Sequence, residues 1–245
     1  MSNPMAVSLD NYNAGRTGFT QHYFLDECNT DFGGQDIQLS WSSFASAVTN
    51  FISANDVEAD TVALRFVYCY DTTGNALYLR LQICTMMPDP KLPNTYDLVA
   101  SPCAWYAIEN GNITATTDTD LFDQAYLSYF YYCSAVICSE GNLINLASDT
   151  AATTYARTVV LPWSAEILQM YLDNSSPDNA ILCFAACAFQ ASSACTYPHT
   201  LVLYLIDGSG NTLMDNSVVS GFEMKGADMG TTCPEICNVY VLPTS

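Results

Sequence analysis

Apolar and polar positions follow nearly the same order in two separate stretches of this chain of 245 residues. In residues 36–41, Ile37, Leu39 and Trp41 alternate with polar neighbours, the period of a half-buried strand. Phe44, Val48, Phe51 and Ile52 then fall at i, i+4, i+7 and i+8, which is helical spacing. Residues 62–70 and 76–86 flank Asp71-Thr72-Thr73-Gly74-Asn75 and predict a hairpin with a glycine-containing turn. Ahead of these, Ser8 stands as N-cap of a helix carrying Leu9, Tyr12, Arg16 and Phe19 near one face.

The phrase recurs in the second half. Trp163-Ser164 repeats Trp41-Ser42. Ile181-Leu182-Cys183-Phe184-Ala185-Ala186-Cys187 repeats Ala63-Leu64-Arg65-Phe66-Val67-Tyr68-Cys69, with Leu, Phe and Cys coinciding. Leu201, Leu203 and Leu205 repeat the alternation of Leu77, Leu79 and Leu81. An opening helix is predicted from Leu121, Phe122, Ala125, Tyr126, Tyr129, Phe130 and Cys133 behind Asp118 or Thr119. Residues 156–161 stand as the counterpart strand, a helix follows Trp163, and residues 212–219 form a third strand after Gly208-Ser209-Gly210-Asn211. Between the halves, Asn110-Gly111 marks another hairpin. The expected class is α+β, with two tandem repeats of helix, strand, helix and β-hairpin and mostly antiparallel sheet. The boundaries fall at residues 1–110 and 111–245, as two units or as one compact pseudo-symmetric unit.

With a four-residue loop, Asp71 faces Ala76 and the hairpin faces follow by alternation. Leu64, Phe66, Tyr68, Leu77, Leu79, Leu81 and Ile83 share the apolar side; Arg65, Val67, Cys69, Tyr78, Arg80 and Gln82 share the other. In the second half Cys183 takes the place of Arg65, and Tyr204 that of Arg80, so that hairpin is apolar on both faces. Such a sheet must be covered twice. The second cover is the other half, another element or a neighbouring subunit, which makes Arg65, Arg80, Cys183, Cys187, Tyr204 and Tyr129 candidate interface or partner-binding residues.

Composition narrows the function classes. Six basic against 25 acidic residues give a net charge of −19, which opposes nucleic acid and anionic membrane surfaces. Charged residues make up 13% of the chain, against about 25% in ordinary domains, so the surface is built largely of Thr, Ser and Asn. Few lysines protect the sheet edges. No apolar run reaches the length of a membrane span, and residues 1–10 carry no secretory signal pattern. The expected location is the cytoplasm, or the exterior by a signal-free route.

Eleven cysteines include the close pairs Cys133 and Cys138, Cys183 and Cys187, and Cys233 and Cys237. None has the two-residue gap of a zinc knuckle, and only His22 and His199 supplement them, so no metal site and no cofactor are expected. Cys69 and Cys187 hold matching strand positions suited to buried thiols. Asp207-Gly208-Ser209-Gly210-Asn211 imitates a calcium loop, but Thr212 and Val218 replace its glycine and bidentate glutamate. No nucleophile elbow, carboxylate pair or phosphate loop is present. Asn112-Ile113-Thr114 and Asn174-Ser175-Ser176 are formal glycosylation sequons.

Three segments together, the opening helix at Ser8-Leu9, Leu64-Arg65-Phe66-Val67-Tyr68 and Cys233-Pro234-Glu235-Ile236-Cys237, carry a further likeness. On them each half resembles short uncharacterised proteins of Bacteroidota, and the resemblance implies no activity. The expected role is a non-catalytic structural subunit, not an enzyme, that self-assembles as a homo-oligomer into a filament, tube or layer. The alternatives are a binding module for a small molecule, glycan or protein anchored on Arg65 and Arg80, and a thiol redox or metal-binding protein.

Overall fold

The computed structural model describes residues 6–23, 36–71, 76–117, 138, 139, 142, 143, 158–164, 168, 179–188, 199–211, 224–228, 231–233 and 239–241. The helix expected around Tyr129, the strand expected over 212–219 and the Asn174 sequon lie outside them.

Strand β1 (Ala6–Ser8) leads into helix α1 (Leu9–Tyr23), and strand β2 (Ile37–Ser40) leads into helix α2 (Trp41–Asn55). The Ser40 hydroxyl accepts from the Ser43 backbone N–H at 3.4 Å and caps α2. Asp56, in the left-handed region at φ 51°, ends the helix by donating its N–H to the Ile52 carbonyl. Ser8, expected as the cap of α1, is the last residue of β1 and directly precedes the helix, as Ser40 does for α2. Then come β3 (Val62–Asp71), β4 (Ala76–Pro88), β5 (Thr95–Glu109) and β6 (Asn112–Thr116). Asn110 and Gly111 sit at φ 50° and 78°, the backbone of a two-residue hairpin turn. The remaining strands are β7 (Cys138–Ser139), β8 (Asn142–Leu143), β9 (Thr158–Pro162), β10 (Ile181–Ala188), β11 (His199–Ile206), β12 (Met224–Asp228), β13 (Thr231–Cys233) and β14 (Val239–Val241).

The strands form two main antiparallel sheets, one ordered β1-β12-β11-β10-β2 and the other β13-β9-β3-β4-β5-β14, with β6 also on β5. The class is therefore α+β with mostly antiparallel sheet. Each sheet contains strands from both halves of the chain, so a boundary at residue 110 does not separate two independently paired sheets.

Strands from the two halves of the chain pair in both sheets. Strand β2 pairs with β10 through Leu39↔Leu182 and Ile37↔Phe184, and β9 pairs with β3 through Leu161↔Leu64 and Val159↔Phe66. The Trp41 N–H donates to the Ala180 carbonyl at 3.0 Å; the Trp163 N–H donates to the Val62 carbonyl at 2.8 Å. Both tryptophans follow their strands directly, and their rings stack with centroids 6.3 Å apart. Behind them Phe66 and Phe184, one from each sheet, meet at 5.2 Å, and Phe44 of α2 lies 6.4 Å from Phe66 and 6.2 Å from Phe184. Leu64, Leu79, Leu81 and Ile83 from one sheet and Leu182, Leu201, Leu203 and Leu205 from the other complete this core. Each fully buried side chain of this size contributes about 1.5–3 kcal/mol.

The hairpin loop has the expected length, since Asp71 pairs with Ala76, and both faces of β3–β4 fall as alternation requires. The correspondence between the two hairpins differs by two residues from the sequence reading. Phe66 pairs with Leu81 and Phe184 with Leu203, so Leu79, Leu81 and Ile83 answer to Leu201, Leu203 and Leu205. A two-residue shift keeps every side chain on its face and is invisible to alternation. Tyr204 thus answers to Gln82, and Val202 to Arg80.

Replacing either stacked tryptophan with alanine is expected to cost about 3–5 kcal/mol in guanidinium unfolding. Trp41→Ala with Trp163→Ala is expected to be non-additive by roughly 0.5–1.5 kcal/mol or more. Additive single losses below about 1 kcal/mol would show that the stack does not support this pairing.

Candidate functional site

The outer faces of the two sheets hold most of the residues singled out from the sequence. On the first sheet, Cys183, Ala185 and Cys187 of β10 share a face with Val202 and Tyr204 of β11. Helix α1 lies against β10 and β12, so the second cover is an element of the same chain. Cys183, Cys187 and Tyr204 are buried there and present no surface to a partner.

A carboxylate ties this cover down. Asp36, at the start of β2, accepts hydrogen bonds from the Tyr12 hydroxyl at 2.7 Å and from the Tyr204 hydroxyl. Arg16, one helical turn after Tyr12, places its guanidinium 3.1 Å from the same carboxylate. The tyrosine rings meet edge to face at 5.6 Å. Burial, followed by the Asp36 charge, raises the pKa of both hydroxyls above the ordinary tyrosine value, which keeps them protonated as donors. The group joins α1, β2 and β11, elements far apart in sequence. Its signal was the spacing of Tyr12 and Arg16 on one helix face; nothing in the pattern pointed to Asp36 as their common partner.

The second sheet treats its outer face differently. Val160, Arg65, Gln82 and Trp105 form a row across β9, β3, β4 and β5. Arg65 and Gln82 are buried, and the Arg65 guanidinium lies 5.7 Å from the Trp105 ring centroid, a cation–π arrangement. Burial pulls the Arg65 pKa below its ordinary value. Arg80, paired with Val67, is the diagonal neighbour expected from alternation and is half-buried. Next to this row Ala63, Cys84, Met86 and Val160 form a small second core with Tyr96 and Leu98 against it. Strand β14 pairs with β5 and also approaches β9 and β13, so the sheet curls around that core. The two arginines therefore line a curled sheet built from strands of both halves.

Other candidates resolve simply. The Asp207 carboxylate accepts from the backbone N–H groups of Ser209 and Asn211 and from the Asn211 amide, at 2.8, 2.9 and 3.0 Å. It closes a turn, and the Asn211 hydrogen bonds lower its pKa. Among the described residues no three His, Cys, Asp or Glu side chains converge on a metal position. A shallow groove of about 220 Å³ at Gln38, Ser40, Gly111 and Asn179 is smaller than the roughly 300–1,000 Å³ of small-molecule sites. No helix among the described residues is long and apolar enough to cross a membrane.

Strand β6 is the remaining feature. It pairs with β5 on one side; on the other, the only pairing among the described residues is a single bridge of Gly111, just before it, to Leu39 of β2. Asn112, Thr114 and Ala115 are exposed, while Ile113 packs against the core. The strand carries no charge and no proline, the two devices that ordinarily blunt a sheet edge. Tyr129 lies outside the described residues. Searches of protein-family models, curated proteins and solved structures find no match to this chain.

The Asp36 group generates a pH expectation. Hydroxyls whose folded pKa is raised stabilise the fold fully below the ordinary tyrosine value of 10.0, and that stability is lost as pH rises through the folded values. Unfolding free energy is expected to fall from about pH 10 upward, and Tyr12→Phe with Tyr204→Phe to flatten that fall. Below pH 9, Tyr204→Phe alone is expected to cost about 1–3 kcal/mol, since it leaves a buried carboxylate short of a donor. Chemical denaturation across pH measures both, and an unchanged alkaline slope in the double variant would count against this role.

Proposed function

We propose that this chain is a tandem duplication whose halves exchange their opening strands, and that it serves as a non-catalytic structural subunit assembling through strand β6. The duplication reading is supported by the matched registers of β2 on β10 and β9 on β3, and by the equivalent backbone bonds of Trp41 and Trp163. A duplicated unit offers related surfaces at two ends, and a head-to-tail contact that does not close extends into a filament, tube or layer.

The observation that carries the assembly reading is the outer side of β6, along which no strand pairs among the described residues beyond the bridge of Gly111 to Leu39 at its start. In a chain of net charge −19, the acidic excess works against association of two copies through charged surfaces. Asn112-Ile113-Thr114-Ala115-Thr116 carries no charge and has β-branched residues at three positions, suited to accept a strand from a second copy. The partner in this reading is the chain itself. A ligand anchored on Arg65 and Arg80 has less support, because Arg65 is 4% exposed and stacked on Trp105.

Size-exclusion chromatography with light scattering, together with negative-stain microscopy at micromolar protein and neutral pH, tests the reading. The native chain is expected to be multimeric, and Thr114→Lys with Ala115→Lys to give monomers with an unchanged circular dichroism spectrum and melting temperature. A monomeric native chain, or a double variant that still assembles, would overturn it.

A further inference from the structure

We propose that Cys84 and Cys103 are a redox-active pair that closes into a cross-strand disulfide on exposure to a low-molecular-weight disulfide. This inference is independent of the assembly reading. It starts from register, because Cys84 of β4 stands directly opposite Cys103 of β5, and both are free thiols. Directly opposed residues on antiparallel strands have Cβ atoms about 4.5–5.5 Å apart, and a disulfide requires about 3.5–4.5 Å. The strands need close by only about 1 Å.

The ladder is built to yield at this point. The register shifts between Cys84 and Thr85, because Thr85 pairs with Val99, and Ala100, Ser101 and Pro102 are left without partners on β4. Such an interruption frees β5 from the regular ladder immediately beside Cys103.

The two thiols have different surroundings and therefore different roles. Cys103 is exposed and meets the oxidant first; Cys84 is buried among Ala63, Met86 and Val160. The Arg65 charge acts on the Cys84 sulfur, and a cation beside a thiol favours the thiolate. At Cys84 burial outweighs Arg65 and pushes the thiol up to about 12. The sequence of steps follows from this division. The Cys103 thiolate attacks the disulfide RSSR, forming a mixed disulfide on Cys103 and releasing one thiol RSH after proton uptake. The Cys84 thiol then loses its proton and attacks the Cys103 sulfur, which expels the second RSH. Two protein thiols are oxidised to one disulfide, and RSSR is reduced to two RSH.

The experiment adds oxidised glutathione to the fully reduced, full-length protein and follows products by peptide mapping and thermal unfolding. A glutathione adduct on Cys103 is expected first, then the Cys84–Cys103 linkage. The second step should accelerate about tenfold per pH unit between neutral and mildly alkaline pH, as the Cys84 thiolate population grows. Closure should raise Tm by roughly 5–10 °C. Cys103→Ser, an exposed change, should abolish the linkage and the Tm rise and leave the reduced protein's spectrum unchanged. Cys84→Ala should trap the adduct on Cys103. An adduct on Cys103 that persists in the native protein without linkage, or a linked product joining other cysteines first, would overturn the proposal.

Discussion

Each hairpin of this protein has one long side that its own half leaves unpaired, and the other half supplies the missing strand. A strand edge buried without hydrogen bonds leaves a row of unsatisfied backbone groups at a cost of about 1–3 kcal/mol each. Strand β2 covers the edge of β10, and β9 covers that of β3. The rest of the molecule follows from this pairing. It brings Trp41 against Trp163, fixes where α2 begins, and turns the leucine face of each hairpin toward the other, with Phe66 on Phe184 at the centre. Neither sheet is complete without strands from both halves.

The outer faces then diverge, because each hairpin needs a second cover of a different kind. The apolar outer face at Cys183 and Tyr204 takes a helix, and α1 is held there by one carboxylate shared between two tyrosine hydroxyls and an arginine. Removing a carboxylate from water is costly unless its oxygens are matched by donors, so this group also fixes where the helix sits. The face at Arg65 is covered by curling the sheet, with Trp105 lying over the guanidinium and a small apolar core beside it. A planar cation on an aromatic ring keeps its charge with less loss of hydration than an ammonium would, which suits arginine to this place.

The charge of the chain sets the terms for any association. A surface with six basic residues has few ways to attract another acidic copy by charge. The proposed assembly therefore rests on backbone pairing at an uncharged edge, and β6 has that character. The Cys84 and Cys103 pair lies on the neighbouring ladder of β5, where the register is interrupted.

Local patterning was enough to read the elements with the strongest periodicity. The period-two leucines of β3, β4, β10 and β11, the helical stripe of α2 and the turn at Asn110-Gly111 are set by residues close in sequence, and each formed where its pattern placed it. The side of the hairpin carrying Arg65, Arg80 and Gln82 was legible for the same reason. Partners distant in sequence were not. Alternation cannot detect a two-residue slip, so the match of Tyr204 to Gln82 needed the register of β10 on β11. The meeting of Tyr12, Arg16 and Tyr204 on Asp36 spans up to 168 residues and is a product of packing. The sequence by itself therefore determined the two hairpins, helix α2 and the faces they present. Tertiary structure alone decided which strand completes which sheet and what covers each outer face, because those choices depend on satisfying edges and buried polar groups across the whole chain.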